Sequence, residues 1–457
     1  MSKRKLIVDC DPGIDDVLAL LLALNTLDSE ILLISLCFGN VGVTTSIFNV
    51  IAMFEVLESE RDYRTKYGLP LLSYHKHVNR ADKTKWPIVA LGSRVPVSSK
   101  STIGAEYFHG IDGLGGVHTK APQFSPATTA VLPFEDPATL SADQVVTREQ
   151  VMRDAIGYRP IHTLSWREIL NVLRNELENT VTIVAVAPLS NLARAALEDP
   201  VTFSRVREII CMGGNIEMPG NMNPFAEFNF YADVEAVAIT LATTSLTPGS
   251  TLPPSASAFS DLFRGPQSKA YKPVEFVLFP LDITTRHRLR KTWFVDRCKF
   301  WLDTTAVARP DGSPLATWMS IWLSSSFKNM DDILEFEGGD RHVSANTDDD
   351  DSSGYIEMHD PLTMFYALLS DEERETMFEV KPNVDLRMET TGQWSSGMCV
   401  VDKRNIPKRN EHQPLPPRDI GEWLDVTKGN RVGVAVEGPG SKMFGMALLD
   451  KLLGESM

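Results

Sequence analysis

Short apolar runs alternate along the chain with longer segments in which apolar residues recur every three or four positions. The short runs predict strands, and they lie at residues 6–8, 31–38, 87–91, 181–186, 208–212, 274–281, 385–388, 398–401 and 432–436. The helical pattern covers residues 14–24, 44–58, 189–197, 233–241, 361–369 and 441–453. Such alternation is typical of βα units. We therefore predict an α/β fold with an open, mostly parallel, Rossmann-like sheet flanked by helices.

Four segments lack this periodicity, namely residues 61–85, 119–160, 243–273 and 303–353. We interpret them as surface insertions into a single domain that spans residues 1–457. The last of them carries an acidic run at residues 348–351. A solvated loop explains this run better than a second metal site. Aromatic residues in these segments are candidates either for core packing, which we favour, or for stacking on a ligand: Phe259, Phe263, Trp318 and Trp322.

Composition and charge limit the kinds of molecule that the protein is expected to bind. The chain of 457 residues has a formal net charge of −15, which argues against nucleic acid or an anionic membrane as partner. No apolar stretch approaches the ~20 residues of a membrane span. The five cysteines have no zinc-ligand spacing, and the basic residues before the first strand do not resemble a secretory leader. We expect a cytoplasmic protein with reduced thiols.

The strongest chemical signal is the acidic loop, residues 9–16, which joins the first strand to the first helix. It holds four carboxylates within eight residues: Asp9, Asp11, Asp15 and Asp16. Like charges this close cost about 1 kcal/mol per pair even in water. Asp15 and Asp16 could simply complement the helix dipole. Because Asp9 and Asp11 end a strongly apolar strand, however, we favour a site for a hard metal ion.

Other polar residues also follow predicted strands, the place where open parallel sheets bind ligands. Asn40 follows the second strand, and a glycine-rich loop at residues 109–116 begins with His109. The 220–229 segment brings Asn221, Glu227 and Asn229 together among apolar neighbours. These three residues could bind a ligand with several hydroxyls, or form a polar turn that satisfies itself. Asp360, preceded by His359, opens a helix and would in isolation be taken for an N-cap.

Taken in order, these motifs resemble the inosine-uridine-preferring nucleoside hydrolase family. The resemblance rests on Asp-x-Asp-Pro-Gly-x-Asp-Asp in the acidic loop, then Gly-Asn, His-Gly-x-x-Gly, Pro-Leu-Ser-Asn, Gly-Asn-x5-Glu-Phe-Asn and His-Asp-Pro. It extends discontinuously over the whole chain. The resemblance implies hydrolysis of the N-glycosidic bond of ribonucleosides to ribose and free base, with a bound Ca²⁺ ion.

The resemblance also implies a role for each matching residue. Asp11 is the general base that takes a proton from a calcium-bound water. The calcium ligands are Asp11, Asp16, Asp360 and the backbone carbonyl of Val186. The residues that hold ribose hydroxyls are Asp15, Asn40, Asn221, Glu227 and Asn229. His359 falls near the leaving base, where it is a candidate catalytic residue, and His109 belongs to the base-binding side.

Some parts of the chain depart from the family pattern. Residues 115–147, near the expected base-binding side, and residues 285–355 are unlike the usual sequence. The ribose and calcium residues are all present, so base preference is the property left open. The family's usual dimer or tetramer is also expected here, unless the insertions alter it. Because buried polar groups would lose their partners, we expect a strong penalty against 2′-deoxynucleosides.

Two other functions would also use parts of this pattern. A Mg²⁺-dependent phosphohydrolase would use Asp9 as nucleophile, but the Gly-Thr that usually follows its Asp-x-Asp is missing. A non-catalytic nucleoside- or sugar-binding protein would share the pocket. The Asp11→Asn variant separates these classes, because only a hydrolase has turnover to lose.

Overall fold

The predicted fold class is confirmed. A computed structural model describes residues 3–77, 82–98, 101–263, 270–305, 309–336, 354–410 and 418–454. The strands are β1 (Arg4–Cys10), β2 (Ser29–Leu36), β3 (Ile88–Leu91), β4 (Arg159–Ile161), β5 (Val181–Ala185), β6 (Glu208–Met212), β7 (Phe276–Phe279), β8 (Arg288–Arg290), β9 (Tyr355–Glu357), β10 (Glu379–Val384), β11 (Leu386–Met388), β12 (Cys399–Val401) and β13 (Val432–Glu437).

Nine of these strands form one sheet in the order β10-β13-β7-β6-β5-β1-β2-β3-β4. Every neighbouring pair is parallel except β10 and β13, which are antiparallel. Two antiparallel pairs, β8 with β9 and β11 with β12, stand apart from this sheet. Because β1 lies between β2 and β5 in the middle of the sheet, the acidic loop that follows it emerges at the centre of the fold.

Helices cover both faces of the sheet. They are α1 (Ile14–Leu24), α2 (Val43–Lys66), α3 (Ser73–His77), α4 (Glu106–His109), α5 (Val117–Lys120), α6 (Ala142–Asp154), α7 (Ser165–Asn175), α8 (Ser190–Glu198), α9 (Pro200–Phe203), α10 (Phe228–Ala232), α11 (Val234–Ala242), α12 (Leu281–Thr284), α13 (Lys291–Leu302), α14 (Pro314–Phe336), α15 (His359–Leu368), α16 (Asp371–Met377) and α17 (Ser441–Leu453). Side chains of β1 alternate between two cores: Leu6 and Val8 face the layer of α1 and α2, and Ile7 faces the layer of α7 and α8.

One predicted insertion contributes to the core instead. Helix α14 lies within residues 303–353, and it buries Trp318, Trp322 and Phe327 in the larger core. A surface insertion is therefore the wrong description for this helix. Its apolar residues recur at helical spacing, which was readable in the sequence. The acidic run at residues 348–351 lies outside the described residues.

The other three segments are built differently. Residues 61–85 begin inside α2, which continues to Lys66. Residues 119–160 contain α6, none of whose side chains is buried, and end in β4 at the edge of the sheet. Residues 243–273 contain two 3-10 helices, Pro248–Ser250 and Pro254–Phe263. The side chains of Phe259 and Phe263 lie outside the described part of the chain.

Among the described helices, none has both the length and the apolar character needed to cross a membrane.

Candidate active site

The acidic loop is held in shape by one of its own carboxylates. Asp16, in the first turn of α1, accepts hydrogen bonds from the backbone N–H groups of Asp11 and Gly13, both at 3.0 Å. Its Oδ2 atom also accepts from the side-chain amide of Asn40 at 2.9 Å. Asn40 follows β2, the neighbour of β1, so the parallel sheet brings these two loops together. The loop is thus preorganised by backbone donors before any ligand binds.

Three carboxylates converge at the end of this loop, two of them its own. One oxygen from each of Asp15, Asp16 and Asp360 lies within 4.8 Å of the others. Asp360 is on α15, which packs against α1. Burial raises the pKa of Asp360 well above its usual value, and the charges of Asp15 and Asp16 raise it further. Burial and the charge of Asp15 likewise raise the pKa of Asp16 to about 7. A cation among these oxygens would relieve both penalties.

Asp11 has a carboxylate oxygen that is available for chemistry. Its Oδ2 atom accepts from the backbone N–H of Asn40 at 2.6 Å, whereas its buried Oδ1 atom has no hydrogen-bond partner among the described residues. Burial and the charge of Asp16 raise the pKa of Asp11 well above its usual value. Gly39 leaves room for this carboxylate, because a Cβ atom at that position would lie 1.8 Å from Oδ2.

This donor set fits a hard cation. Oxygen atoms of carboxylates and carbonyls are the ligands that Ca²⁺ prefers, and Asp11 Oδ1 is a buried oxygen in need of a partner. The carbonyl of Val186, another expected ligand, accepts from the side-chain amide of Asn229 at 3.2 Å. A carbonyl oxygen has two lone pairs, so this bond leaves one acceptor site.

The 220–229 segment uses its polar groups mainly to hold its own backbone. Glu227 is the N-cap of α10: Oε1 accepts from Asn229 N, and Oε2 accepts from Gly214 N and Phe230 N, at 2.7–3.1 Å. Asn221 Oδ1 accepts from Phe228 N at 2.9 Å. Glu227 and Asn229 are buried, but Asn221 is exposed, so the expectation that these polar groups are buried together is wrong for Asn221. The self-satisfied polar turn thus describes much of this segment.

The two histidines are placed differently. His109 is buried at the end of α4, and its Nδ1 atom accepts from the backbone N–H of Ile14 at 3.1 Å. Burial lowers its pKa, which favours the neutral ring that this bond requires. Burial also lowers the pKa of His359, but the hydrogen bond and charge of Glu357, together with the charges of Asp15 and Glu227, outweigh that effect and leave the pKa raised. His359 therefore has the stronger tendency to carry a proton.

Other site residues were not singled out from the sequence. Thr284 and Glu357 flank His359, with Thr284 Oγ1 at 2.7 Å from Nδ1 and Glu357 Oε2 at 3.4 Å from Nε2. No motif marks either residue. Asn191 was part of the Pro-Leu-Ser-Asn motif but had no role, and it donates to Asp9 Oδ1 at 2.8 Å. Ser35 Oγ donates to the same Asp9 oxygen.

Comparisons with known proteins agree with this arrangement. The profile described as "Inosine-uridine preferring nucleoside hydrolase" matches residues 6–418. Uridine nucleosidase 1 of Arabidopsis thaliana is 30% identical over 236 residues, which are 52% of this chain and 52% of that protein. A pyrimidine-specific ribonucleoside hydrolase of Escherichia coli is 28% identical over 239 residues, 52% of this chain and 56% of that protein. The chain thus spans about half the length of these two curated relatives.

Solved structures show the same fold. The structure of a plant nucleoside hydrolase superposes with a TM-score of 0.62 at 22% identity, covering 99% of both chains. The match of the family profile to nearly the whole chain decides the family. The chain belongs to the inosine-uridine-preferring nucleoside hydrolase family.

Proposed function

We propose that the protein hydrolyses the N-glycosidic bond of ribonucleosides to ribose and free base, with Ca²⁺ as its metal. The observation that carries this proposal is the buried, unpartnered Asp11 Oδ1 atom beside the convergent oxygens of Asp15, Asp16 and Asp360. Membership of the family supports the reaction class. The names of two relatives, a uridine nucleosidase and a pyrimidine-specific hydrolase, make uridine the first substrate to test.

The metal would be held by Asp11, Asp16, Asp360 and the carbonyl of Val186. Asp15 is a further candidate ligand, because its oxygen lies within 4.8 Å of the Asp16 and Asp360 oxygens. When bound, Ca²⁺ supplies a positive charge that lowers the pKa of a water molecule and orients it toward the anomeric carbon.

Asp11 acts as the general base in this proposal. Its Oδ1 atom has no hydrogen-bond donor among the described residues and accepts the proton of the attacking water. The bond from Asn40 N to Oδ2 fixes the plane of the carboxylate, so the free oxygen keeps one direction. The water oxygen bonds to C1′, the C1′–N bond breaks, and its electron pair leaves with the base.

Asp15, Asn40, Asn221, Glu227 and Asn229 are proposed to orient the ribose. Hydrogen bonds to several hydroxyls hold the ribose in one orientation, so that binding energy is used to place C1′ for attack. The transition state has positive charge on the sugar, which the surrounding carboxylates stabilise. His359 is proposed to hold a proton near the leaving base, in line with its raised pKa, while His109 lines the base side.

The test is release of ribose from inosine, uridine, adenosine, cytidine and guanosine, with Ca²⁺ and with chelator. Calcium-dependent release that Asp11→Asn abolishes would establish the hydrolase and its base preference together. 2′-Deoxyuridine provides a check on the sugar site, and we expect its turnover to be about 10⁴-fold lower than that of uridine. Equal turnover of the two would refute the proposed ribose contacts.

The rival functions have weaker support. A phosphohydrolase needs Asp9 as nucleophile. Asp9 is buried, and its Oδ1 atom accepts from both Ser35 and Asn191. Its Oδ2 atom has no partner among the described residues, but Asp9 is not part of the carboxylate cluster of Asp15, Asp16 and Asp360. A binding protein without catalysis would bind nucleosides but release no ribose from any of them. The same panel therefore separates the three functions.

Two further properties belong to this proposal. All five cysteines are free and buried, which suits a reducing compartment such as the cytoplasm. The dimer or tetramer expected from the family is testable by light scattering on the purified protein.

A further inference from the structure

Asn49 joins two loops that the proposed function assigns to different parts of the nucleoside, the acidic loop to the metal and ribose and the glycine-rich loop to the base. It lies on α2 and is fully buried. Its Nδ2 atom donates to the carbonyl of Pro12, in the acidic loop, and to the carbonyl of Asp112, in the glycine-rich loop, both at 2.8 Å. One side-chain amide thus holds both loops, although residues 12 and 112 are 100 positions apart in the sequence.

A neighbouring histidine determines how this amide is oriented. His118 Nε2 lies 2.9 Å from Asn49 Oδ1, which can only accept a hydrogen bond. The two amide protons of Asn49 are then directed at the two carbonyls. His118 Nδ1 in turn contacts Ser125 Oγ at 3.1 Å. The whole amide group is therefore engaged, and a flipped orientation would place oxygen against oxygen at both carbonyls.

The geometry leaves no room for a larger residue in the glycine-rich loop at this point. A Cβ atom on Gly113 would lie 2.9 Å from Asn49 Nδ2, and Gly113 has a φ of +77°. The side chain of Asp112 closes the loop by accepting from the N–H groups of Leu114, Gly116 and His118. Asn49 therefore contacts a rigid turn, and a displacement of this turn would move the loop as a unit.

The same loop reaches the acidic side through His109. Its Nδ1 atom accepts from Ile14 N, in the first turn of α1, and its carbonyl accepts from Gly115 N at 2.8 Å. The imidazole and the Asn49 amide thus hold the glycine-rich loop to the acidic loop at two points. Of these two, only Asn49 acts from outside both loops.

We propose that Asn49 is a positioning residue, set by His118, that holds the glycine-rich loop against the acidic loop and so keeps the base side of the pocket in place. The proposal rests on the proposed function. Because the Asn49 contacts hold the base side of the pocket, their loss should reduce the rate most for substrates whose leaving group must be protonated or hydrogen-bonded. A nucleobase needs a proton or a hydrogen bond to leave, whereas 4-nitrophenolate leaves as a stable anion.

The experiment compares uridine with 4-nitrophenyl β-ribofuranoside in Asn49→Leu, which keeps the volume and removes the donors. We expect kcat/KM for uridine to fall about 10- to 100-fold and that for the nitrophenyl riboside less than about threefold. The Kd for Ca²⁺, measured by calorimetry without substrate, should stay within about threefold, because the metal oxygens are untouched. Asn49→Ser, which retains one donor, should give a smaller loss in the same direction and is available if the Leu variant does not fold.

Asn430→Leu is the matched control. Asn430 is also buried, donates to Leu386 O at 2.7 Å and accepts from Thr251 Oγ1 at 2.7 Å, but it contacts neither loop. The Asn430→Leu variant should have a lower melting temperature, but its ratio of kcat/KM for uridine to kcat/KM for the nitrophenyl riboside should be unchanged. An equal loss on both substrates in Asn49→Leu, or the same ratio change in the control, would overturn the proposal.

Amide hydrogen exchange separates this proposal from the proposed function. In Asn49→Leu we expect faster exchange at residues 109–116, with α8 unchanged. This measurement needs no turnover, so it remains valid if the wild type releases no ribose from any nucleoside. Unchanged exchange in the glycine-rich loop would by itself refute the proposal that Asn49 holds this loop in place.

Discussion

Asp11 and Glu227 are both buried carboxylates next to strand ends, but their oxygens are used in opposite ways. Glu227 accepts three backbone N–H groups with its two oxygens, whereas Asp11 has one oxygen without a partner among the described residues. In the acidic loop, a buried carboxylate oxygen without a partner lowers the stability of the fold but leaves a charge that a ligand can use. In the 220–229 segment, the charge stabilises the chain itself. Burial and charge alone therefore do not distinguish a carboxylate that stabilises the chain from one that can serve a ligand; the hydrogen-bond partners of its oxygens and its place beside the carboxylate cluster must be considered together.

The largest expected effect comes from the available oxygen. Asp11→Asn should lower kcat for uridine by about 10²- to 10⁴-fold, because the amide cannot accept the proton. Its melting temperature without metal should not fall, since a buried like charge has been removed. Steady-state kinetics and calorimetry measure both. A variant that stays active would remove Asp11 from the role of base.

A second expected effect concerns the metal-free protein. Asp11, Asp16 and Asp360 have pKa values raised in the fold, so the folded state binds protons more tightly than the unfolded chain. The stability that these protons provide is present at low pH and is lost as the pH rises through the raised values, which for Asp16 is about 7. We expect the melting temperature in chelator to fall from about pH 5 to pH 8 relative to that in Ca²⁺. If the melting temperature changes with pH in the same way in chelator and in Ca²⁺, the proposed metal site would be contradicted.

Removing one charge from the cluster gives a third test. Asp360→Asn should weaken Ca²⁺ binding and yet raise the stability of the metal-free protein at neutral pH, by about 1 kcal/mol or more. Denaturant unfolding with chelator measures the second effect. The two opposite signs distinguish a ligand from a structural carboxylate, because an N-cap would lose stability in both forms.

Glu227→Gln should show the reverse pattern. The amide nitrogen cannot accept, so at least one of the three backbone N–H groups loses its partner, at a cost of about 1–3 kcal/mol. We expect the melting temperature to fall with and without metal, and KM for uridine to rise. If stability is unchanged and only KM rises, Glu227 serves the ligand more than the chain.

Asn221→Ala should have the smallest effect. Asn221 is exposed and its Oδ1 atom accepts one hydrogen bond from Phe228 N, so the expected loss of stability is about 0.5–1.5 kcal/mol. If its amide also holds a ribose hydroxyl, KM for uridine should rise while kcat stays near the wild-type value. A fall in kcat without a change in KM would contradict that role.

Most of the fold was predictable because the apolar periodicity is strong near the centre of the sheet. The bounds of α1, β6 and α17 match the predicted segments residue for residue. Helix α14 was missed although its buried tryptophans have helical spacing, because the acidic run and polar flanks around it dominate that segment. The short strands β4, β8 and β9, of three residues each, have too little pattern to be recognised.

The candidate site was predictable only in part. Local clustering identified the acidic loop, because four carboxylates in eight residues need an explanation of their own. Asp360 was assigned through the family resemblance, since in isolation it looks like a helix cap. The roles of Asn49 and Thr284 depend on contacts between distant segments, and no local pattern encodes such contacts.

The position of Asp360 determines when the proposed metal site can be complete during synthesis. Asp16 and Asp360 are 344 positions apart (360 − 16), so the ribosome adds the last of the three clustered carboxylates long after the first two. At the usual rate of elongation this interval is on the order of tens of seconds. During that time the acidic loop of the nascent chain has no third carboxylate with which to hold an ion. Tight metal binding would therefore report that synthesis has passed α15, and ion capture would be a late step of maturation.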